Sequence, residues 1–193
     1  METNAERPLN ILAFAGSTRK DSVNKKLIRE AVEFAKQAGA KVTLVDLSDY
    51  PIPLYDGDLE AESGMPSHAR ELRRLLIEHP IIFISSPEYN SSLPAVLKNT
   101  IDWTTRKEDG SGGSLDSFKG KTFVIMGASP GSRGGARALI HLRSILESIG
   151  GHVVPEQVTL PNAYEAFDEE GHLKDAKLRL ELQALIESAL QKN

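Results

Sequence analysis

Apolar residues along this chain fall into short continuous runs separated by longer stretches at helical spacing, and the two patterns alternate from end to end. Leu9 to Ala15 is an apolar run that stops at Gly16-Ser17-Thr18, which predicts a buried strand feeding a polar turn. From Val23 to Ala38 the apolar positions Val23, Leu27, Ala31 and Phe34 recur at helical spacing, and Gly39 stands where a C-terminal cap is expected. Val42, Leu44, Val45 and Leu47 predict a second strand. Pro51 and Pro53 then rule out an immediate helix and leave Ser48 to Gly64 as a loop. Pro66 opens a helix running to about Glu78 with Leu72, Leu75 and Leu76 inward, and His79-Pro80 ends it.

Ile81 to Ser85 is the most apolar run and is expected at the centre of a sheet. Pro94 starts a helix carrying Val96, Leu97, Ile101 and Trp103, and the Gly-, Ser- and charge-rich stretch from Lys107 to Gly120 reads as a long mobile loop. Strand four is Thr122 to Met126, followed by a glycine-dense loop through Gly135. A helix over Ala136 to Ile149, a fifth strand from Val153 to Leu160 and a helix over Ala176 to Leu190 complete the chain. Strands alternating with helices imply an α/β fold: a doubly wound, five-stranded parallel sheet with right-handed crossovers, helices on both faces and strand order 2-1-3-4-5.

At 193 residues the chain is long enough for one such sheet, so residues 1–193 are expected to form a single domain. With 40% hydrophobic and 26% charged residues, disorder, fibres and repeat arrays draw no support. The net charge of −4 argues against nucleic acid or an anionic membrane as main partner and favours a small soluble ligand. There is no Cys, which excludes disulfides, thiolate nucleophiles and iron–sulfur clusters, so any redox chemistry must come from a bound cofactor. The first apolar run is too short for a secretory leader and no run reaches membrane-spanning length, from which a cytoplasmic location is expected. The five histidines, His68, His79, His141, His152 and His172, show no ligand spacing, so no metal site is expected.

In the expected strand order, strands one, three and four are neighbours, and the loops after them emerge together at the carboxyl edge where ligands bind. The first, Gly16-Ser17-Thr18-Arg19-Lys20-Asp21-Ser22-Val23-Asn24, gathers hydroxyls, an amide and an arginine at a helix N-terminus, which is chemistry for an anion such as a phosphate ester. It has neither the Gly-x-Gly-x-x-Gly spacing of a dinucleotide fold nor the Gly-Lys-Ser/Thr ending of a P-loop. Equally, Ser22 and its neighbours could simply cap the helix. The second loop, Ser85 to Pro94, is stiffened by Pro87 and Pro94 and sets Tyr89 at the end of the central strand. That suits a planar ring needing edge hydrogen bonds and aromatic cover, or an ordinary strand-to-helix connection. In the third, Ala128 to Gly135, small residues let backbone approach a ligand closely, and Arg133 could face ring or phosphate.

These residues resemble the NAD(P)H-dependent FMN reductases, a flavodoxin-like family of flavin, quinone, azo-dye and metal-oxyanion reductases. The resemblance covers nearly the whole chain. It rests on Gly16-Ser17-x-Arg19-x-x-Ser22-x-Asn24, on Pro87-Glu88-Tyr89-Asn90 with Pro94-x-x-Leu97-Lys98-Asn99-x-Ile101-Asp102-Trp103, and on the Gly-rich loop before Ala136. It implies that Ser17, Arg19, Ser22 and Asn24, with Thr18 and the helix start at Val23, hold the FMN phosphate. It also implies that Pro87, Glu88, Tyr89 and Asn90 hold the isoalloxazine and that Ser129 and Gly131 close its other edge. NADPH, or NADH, would be the hydride donor, a small molecule the second acceptor, the kinetics ping-pong and the assembly a homodimer or dimer of dimers. No side chain is then required as nucleophile or strong acid. Two features depart from the family: Asp21, a carboxylate beside the phosphate position that would weaken phosphate binding unless it points outward to pair with Lys20 or Lys25, and a longer Thr104–Lys119 loop. A flavodoxin-type electron carrier without its own NAD(P)H reaction is the alternative. A phosphorelay receiver is excluded because the first and third strands end in Gly16-Ser17 and Ser85-Ser86 rather than in acids.

Overall fold

A computed structural model describes residues 9–191. Their backbone forms one parallel sheet in which β1 (Asn10–Ala15), β3 (Ile81–Ser86) and β4 (Thr122–Ala128) are central. The edge strand β2 (Lys41–Asp46) pairs with β1, giving the order β2-β1-β3-β4 before the last strands are added. The expected fifth strand is two pieces, both parallel to β4. β5 (His152–Val153) pairs at the start of β4 and β6 (Val158–Leu160) at its end. The break falls at Pro155, which has no N–H for a ladder.

Because successive strand residues face opposite sides, the sheet builds two cores. Ile11, Ala13, Phe83, Val124 and Met126 pack under α1 (Val23–Gln37) and α6 (Ala176–Gln191). Leu12, Phe14, Ile82, Ile84 and Ile125 pack under three other helices: α3 (Ser67–Glu78), α4 (Ala95–Thr104) and α5 (Ala136–Ser148). Helices on both faces of a mostly buried parallel sheet leave the carboxyl ends of the strands as the open rim.

Two stretches differ from expectation. Within the predicted loop Ser48 to Gly64 lies a short helix, α2 (Gly57–Ser63), started by Asp56, whose carboxylate accepts from Asp58 N at 2.8 Å and Leu59 N at 3.4 Å. The stretch expected to be mobile, Lys107 to Gly120, is fastened. Phe118 and Ser117 are buried, Ser117 Oγ donates to Thr104 O at 2.6 Å, and Arg73 holds Asp116 at 2.6 Å. Just before it, Arg106 Nε pairs with Glu60 at 2.9 Å, and Tyr55 donates to the same carboxylate at 2.8 Å. Arg106 first, then Tyr55, keeps the Glu60 carboxyl below its ordinary range despite burial. The sequence pattern reports polarity here, whereas the structure adds partners for that polarity.

Candidate functional site

The loop after β1 reaches α1 through Ser22, whose backbone is extended as at an N-cap but whose side chain makes no cap hydrogen bond. No acidic residue lies in the first turn, and Ser22 O takes the N–H groups of Lys25 and Lys26 at 3.0 and 3.2 Å. The N–H groups of Val23 and Asn24 therefore have no protein acceptor among the described residues. The capping reading of Ser22 fails, and the helix presents an uncapped positive end. Ser17 and Ser22 are buried beneath this turn, while Thr18, Arg19 and Lys20 are exposed around it. Asp21 is exposed and forms no ion pair with Lys20 or Lys25; Lys25 bridges instead to Asp46 of β2 at 2.6 Å.

Asn24 is 1% exposed, and its side-chain amide is bonded on both sides within the protein. Nδ2 donates to Ala128 O, while Oδ1 accepts from Ala128 N and from Ser85 Oγ, all at 2.9 Å. One amide thus ties the first loop's helix to the ends of β3 and β4. Gly16 fixes the same loop against α4, since a Cβ there would lie 3.0 Å from Leu97.

The loop after β3 is a tight hairpin turn. Tyr89 and Ser92 exchange backbone hydrogen bonds at 3.0 and 3.1 Å around Asn90 (φ 50°) and Ser91 (φ 63°). Two consecutive left-handed residues define such a turn, and at Ser91 the conformation is strained for a residue with a Cβ. Pro87 is buried at its base, and Ser86 Oγ donates to Pro87 O at 2.9 Å. The Glu88 carboxylate is turned away from the rim: Oε2 accepts from Arg137 N at 3.0 Å and Ala138 N at 3.3 Å, capping α5, whose own N-cap Gly135 has no side chain. Arg137 and His141 of α5 hold Ser91 and Ser92 at 3.0 and 2.9 Å. Glu88 therefore fixes the turn instead of offering its carboxylate to a ring.

Ser129 begins the third loop, and its hydroxyl accepts from Gly131 N at 3.3 Å. Gly134 (φ 58°) lets this loop lie on the chain after β6, since a Cβ would come within 2.8 Å of Leu160 and Pro161. Arg133 is exposed; its carbonyl accepts from Ala136 N at 3.0 Å, and its guanidinium makes no hydrogen bond or ion pair among the described residues.

A fourth loop, after β6, joins these three and carries Tyr164, which the pattern reading missed. The Tyr164 phenol, and more weakly that of Tyr89, shifts the Arg19 pKa above the ordinary arginine value. Extending the carboxyl-edge rule to the fifth strand would have drawn attention to Tyr164, an aromatic in a polar stretch. The rim thus brings together an uncapped helix N-terminus, a cation, hydroxyls, a rigid turn with an exposed aromatic and a glycine-lined loop. This set can seat a ring-bearing phosphate ester, and nothing in it resembles a nucleophile–base pair.

The profile of a family described as NADPH-dependent FMN reductase matches residues 9–165. An NAD(P)H-dependent FMN reductase of Pseudomonas aeruginosa is 35% identical over 184 residues, covering 95% of this chain and 92% of the relative. An NADPH:quinone oxidoreductase of Arabidopsis thaliana is 33% identical over 177 residues, covering 89% and 85%. Among solved structures, the flavoenzyme NAD(P)H:(acceptor) oxidoreductase FerB of Paracoccus denitrificans superposes with a TM-score of 0.76 at 28% identity, covering 95% of this chain and 96% of that one.

Proposed function

The chain belongs to the NADPH-dependent FMN reductase family, and on that premise we propose that its four-loop rim binds FMN with the phosphate at the start of α1 and the isoalloxazine against the Pro87–Asn90 turn. It is an NAD(P)H-dependent flavin oxidoreductase, with a quinone or similar small molecule as second acceptor. The observation that carries the ligand's placement is the uncapped α1 N-terminus. The open N–H groups of Val23 and Asn24, with no acid in the first turn, are donors that a phosphate would satisfy. Arg19 supplies compensating charge, and Ser17, Thr18 and Ser22 supply hydroxyls.

When bound, FMN supplies the atom that takes hydride from the nicotinamide and then reduces the second acceptor. The chain's own part is alignment and exclusion. The Tyr89–Ser92 turn, locked by Glu88, Arg137 and His141, holds backbone groups rigid along one ring edge. Ser129 and Gly131 line the opposite edge, with Arg133 beside them. Because the two substrates use one open face in turn, the reaction is ping-pong. Initial rates with NADPH and a quinone varied against each other should give parallel double-reciprocal lines, and lines that intersect would refute the shared face. The names of the relatives are those of NAD(P)H-dependent reductases and lend nothing to the electron-carrier alternative. We further read residues 1–193 as a single domain acting in the cytoplasm as a homodimer or dimer of dimers, with no nucleic acid or membrane as partner. Among the described residues no helix is long and apolar enough to cross a membrane.

A further inference from the structure

We propose that Asn24 is a positioning residue that couples the two ends of the flavin site, so that an anion held at the start of α1 strengthens the hold on a ring lying between the second and third loops. The inference rests on the placement of FMN proposed for the rim. Asn24 belongs to two systems at once. Its backbone N–H is one of the donors left open at the start of α1, whereas its buried side chain is bonded to the ends of β3 and β4. Nδ2 donates to Ala128 O, and Oδ1 accepts from Ala128 N and Ser85 Oγ, all at 2.9 Å. Ala128 is the last residue before Ser129 and the third loop, and Ser85 stands two residues before Pro87 and the second.

Both connections continue into the loops. Ser129 N donates to Leu160 O at 3.1 Å, and its hydroxyl accepts from Gly131 N at 3.3 Å. Ser85 O accepts from Gly16 N at 2.9 Å, so the first loop holds this residue by backbone and by side chain. The strand ends are also close-packed, since a Cβ on Gly127 would lie 3.1 Å from Ser86 O and 3.3 Å from Gly134 O. Such packing transmits a shift of the first helical turn to its neighbours rather than absorbing it. In the free protein that turn has open donors and no side-chain cap, so it frays; an anion satisfies the donors and holds it. Holding the turn holds the Asn24 amide, which orders the beginnings of both ring-lining loops before a ring arrives. The ring then meets a smaller ordering cost, and by linkage a bound ring favours the anion by the same factor.

The test separates anion from ring. The full chain, freed of flavin, is titrated with riboflavin and with FMN, with and without inorganic phosphate at constant ionic strength, for wild type, Asn24→Ala and Ser85→Ala; binding is read from quenching of flavin fluorescence. In wild type, saturating phosphate should weaken FMN binding, because it competes for α1, yet lower the riboflavin Kd by ~5-fold or more. In Asn24→Ala the competition with FMN should persist while the riboflavin Kd stops responding to phosphate. Ser85→Ala removes one of the three bonds, should keep part of the response, and serves where Asn24→Ala does not fold. Amide exchange reads the tie itself: the Ala128 N–H, whose acceptor is Asn24 Oδ1, should exchange more slowly in wild type when phosphate alone is added. A wild type in which phosphate competes with FMN but leaves the riboflavin Kd or the Ala128 exchange unchanged would overturn the coupling, as would an undiminished riboflavin response in either variant. Phosphate that fails to compete with FMN in wild type would overturn the placement of the phosphate at α1, and this inference with it.

Discussion

Asn24→Ala removes the amide that joins three elements, and its cost can be worked from the contacts. The side chain is buried and makes three hydrogen bonds of 2.9 Å, two to the Ala128 peptide and one to Ser85 Oγ. The Ser85 hydroxyl can rotate to another acceptor, but the Ala128 N–H and C=O cannot move without bending the end of β4. A buried polar group left without a partner costs about 1–3 kcal/mol, so two give roughly 2–6 kcal/mol; partial hydration of the vacated space brings the expected value to about 3 kcal/mol. That is a large share of a typical domain stability of about 5–15 kcal/mol. Urea unfolding followed by Trp103 fluorescence is the assay, since Trp103 is the single tryptophan and fully buried. With a slope of about 2 kcal/mol/M, the midpoint should fall by about 1.5 M at unchanged slope.

Asn24→Asp sharpens the test. Ionised, the carboxylate still accepts from Ala128 N and Ser85 Oγ but sets a second oxygen against the Ala128 carbonyl; protonated, it can donate there as the amide does. The folded pKa should therefore lie above the unfolded value of about 3.9. An acid whose folded pKa is raised contributes its stability below the unfolded value and loses it as pH rises through the folded one. Asn24→Asp should accordingly sit closer to wild type at pH 5 than at pH 8. A loss under about 1 kcal/mol for Asn24→Ala, with no pH dependence for Asn24→Asp, would refute the reasoning.

Glu88→Ala should destabilise by about 0.5–2 kcal/mol through loss of the α5 cap, and Glu88→Gln by less because an acceptor remains, both measurable by urea midpoints. Ring binding should also loosen in Glu88→Ala, seen as a weaker riboflavin Kd. His172 Nδ1 donates to the buried Glu30 carboxylate at 2.9 Å, with Arg179 on the other oxygen at 2.7 Å, and Glu30 raises the His172 pKa above its usual 6.5. A raised histidine contributes stability that is fully present below the usual value and lost as pH rises through the folded one. The wild type should therefore lose this increment on going from mildly acidic to alkaline pH, and His172→Gln should not.

The sheet and its helices were legible because hydrophobic periodicity is strong wherever a strand is buried on both faces or a helix on one. Where it failed, local chemistry overrode the pattern: Pro155 split the last strand, and Asp56 started a helix after two prolines had argued for none. The Lys107–Gly120 stretch looked free because Arg73, Glu60 and Thr104, which govern it and its approach at Arg106, lie in other elements. At the candidate site, residue types pointed to loops that the fold gathers at one rim but not to what each side chain touches. Asn24 and Glu88 occupy family positions, yet their polar atoms face β4, β3 and α5, a distinction that only three-dimensional contacts can make. Tyr164 was passed over because the carboxyl-edge rule was applied to the loops after strands one, three and four and not to the loop after Leu160.

The most direct test of the account is the absorbance spectrum of the purified protein after FMN addition and gel filtration, followed by anaerobic NADPH with no other protein present. The account predicts flavin that co-elutes with the chain and bleaches within the time of a turnover. Flavin that stays oxidised with both NADPH and NADH, or that fails to co-elute in a preparation with no turnover of free FMN, would contradict it.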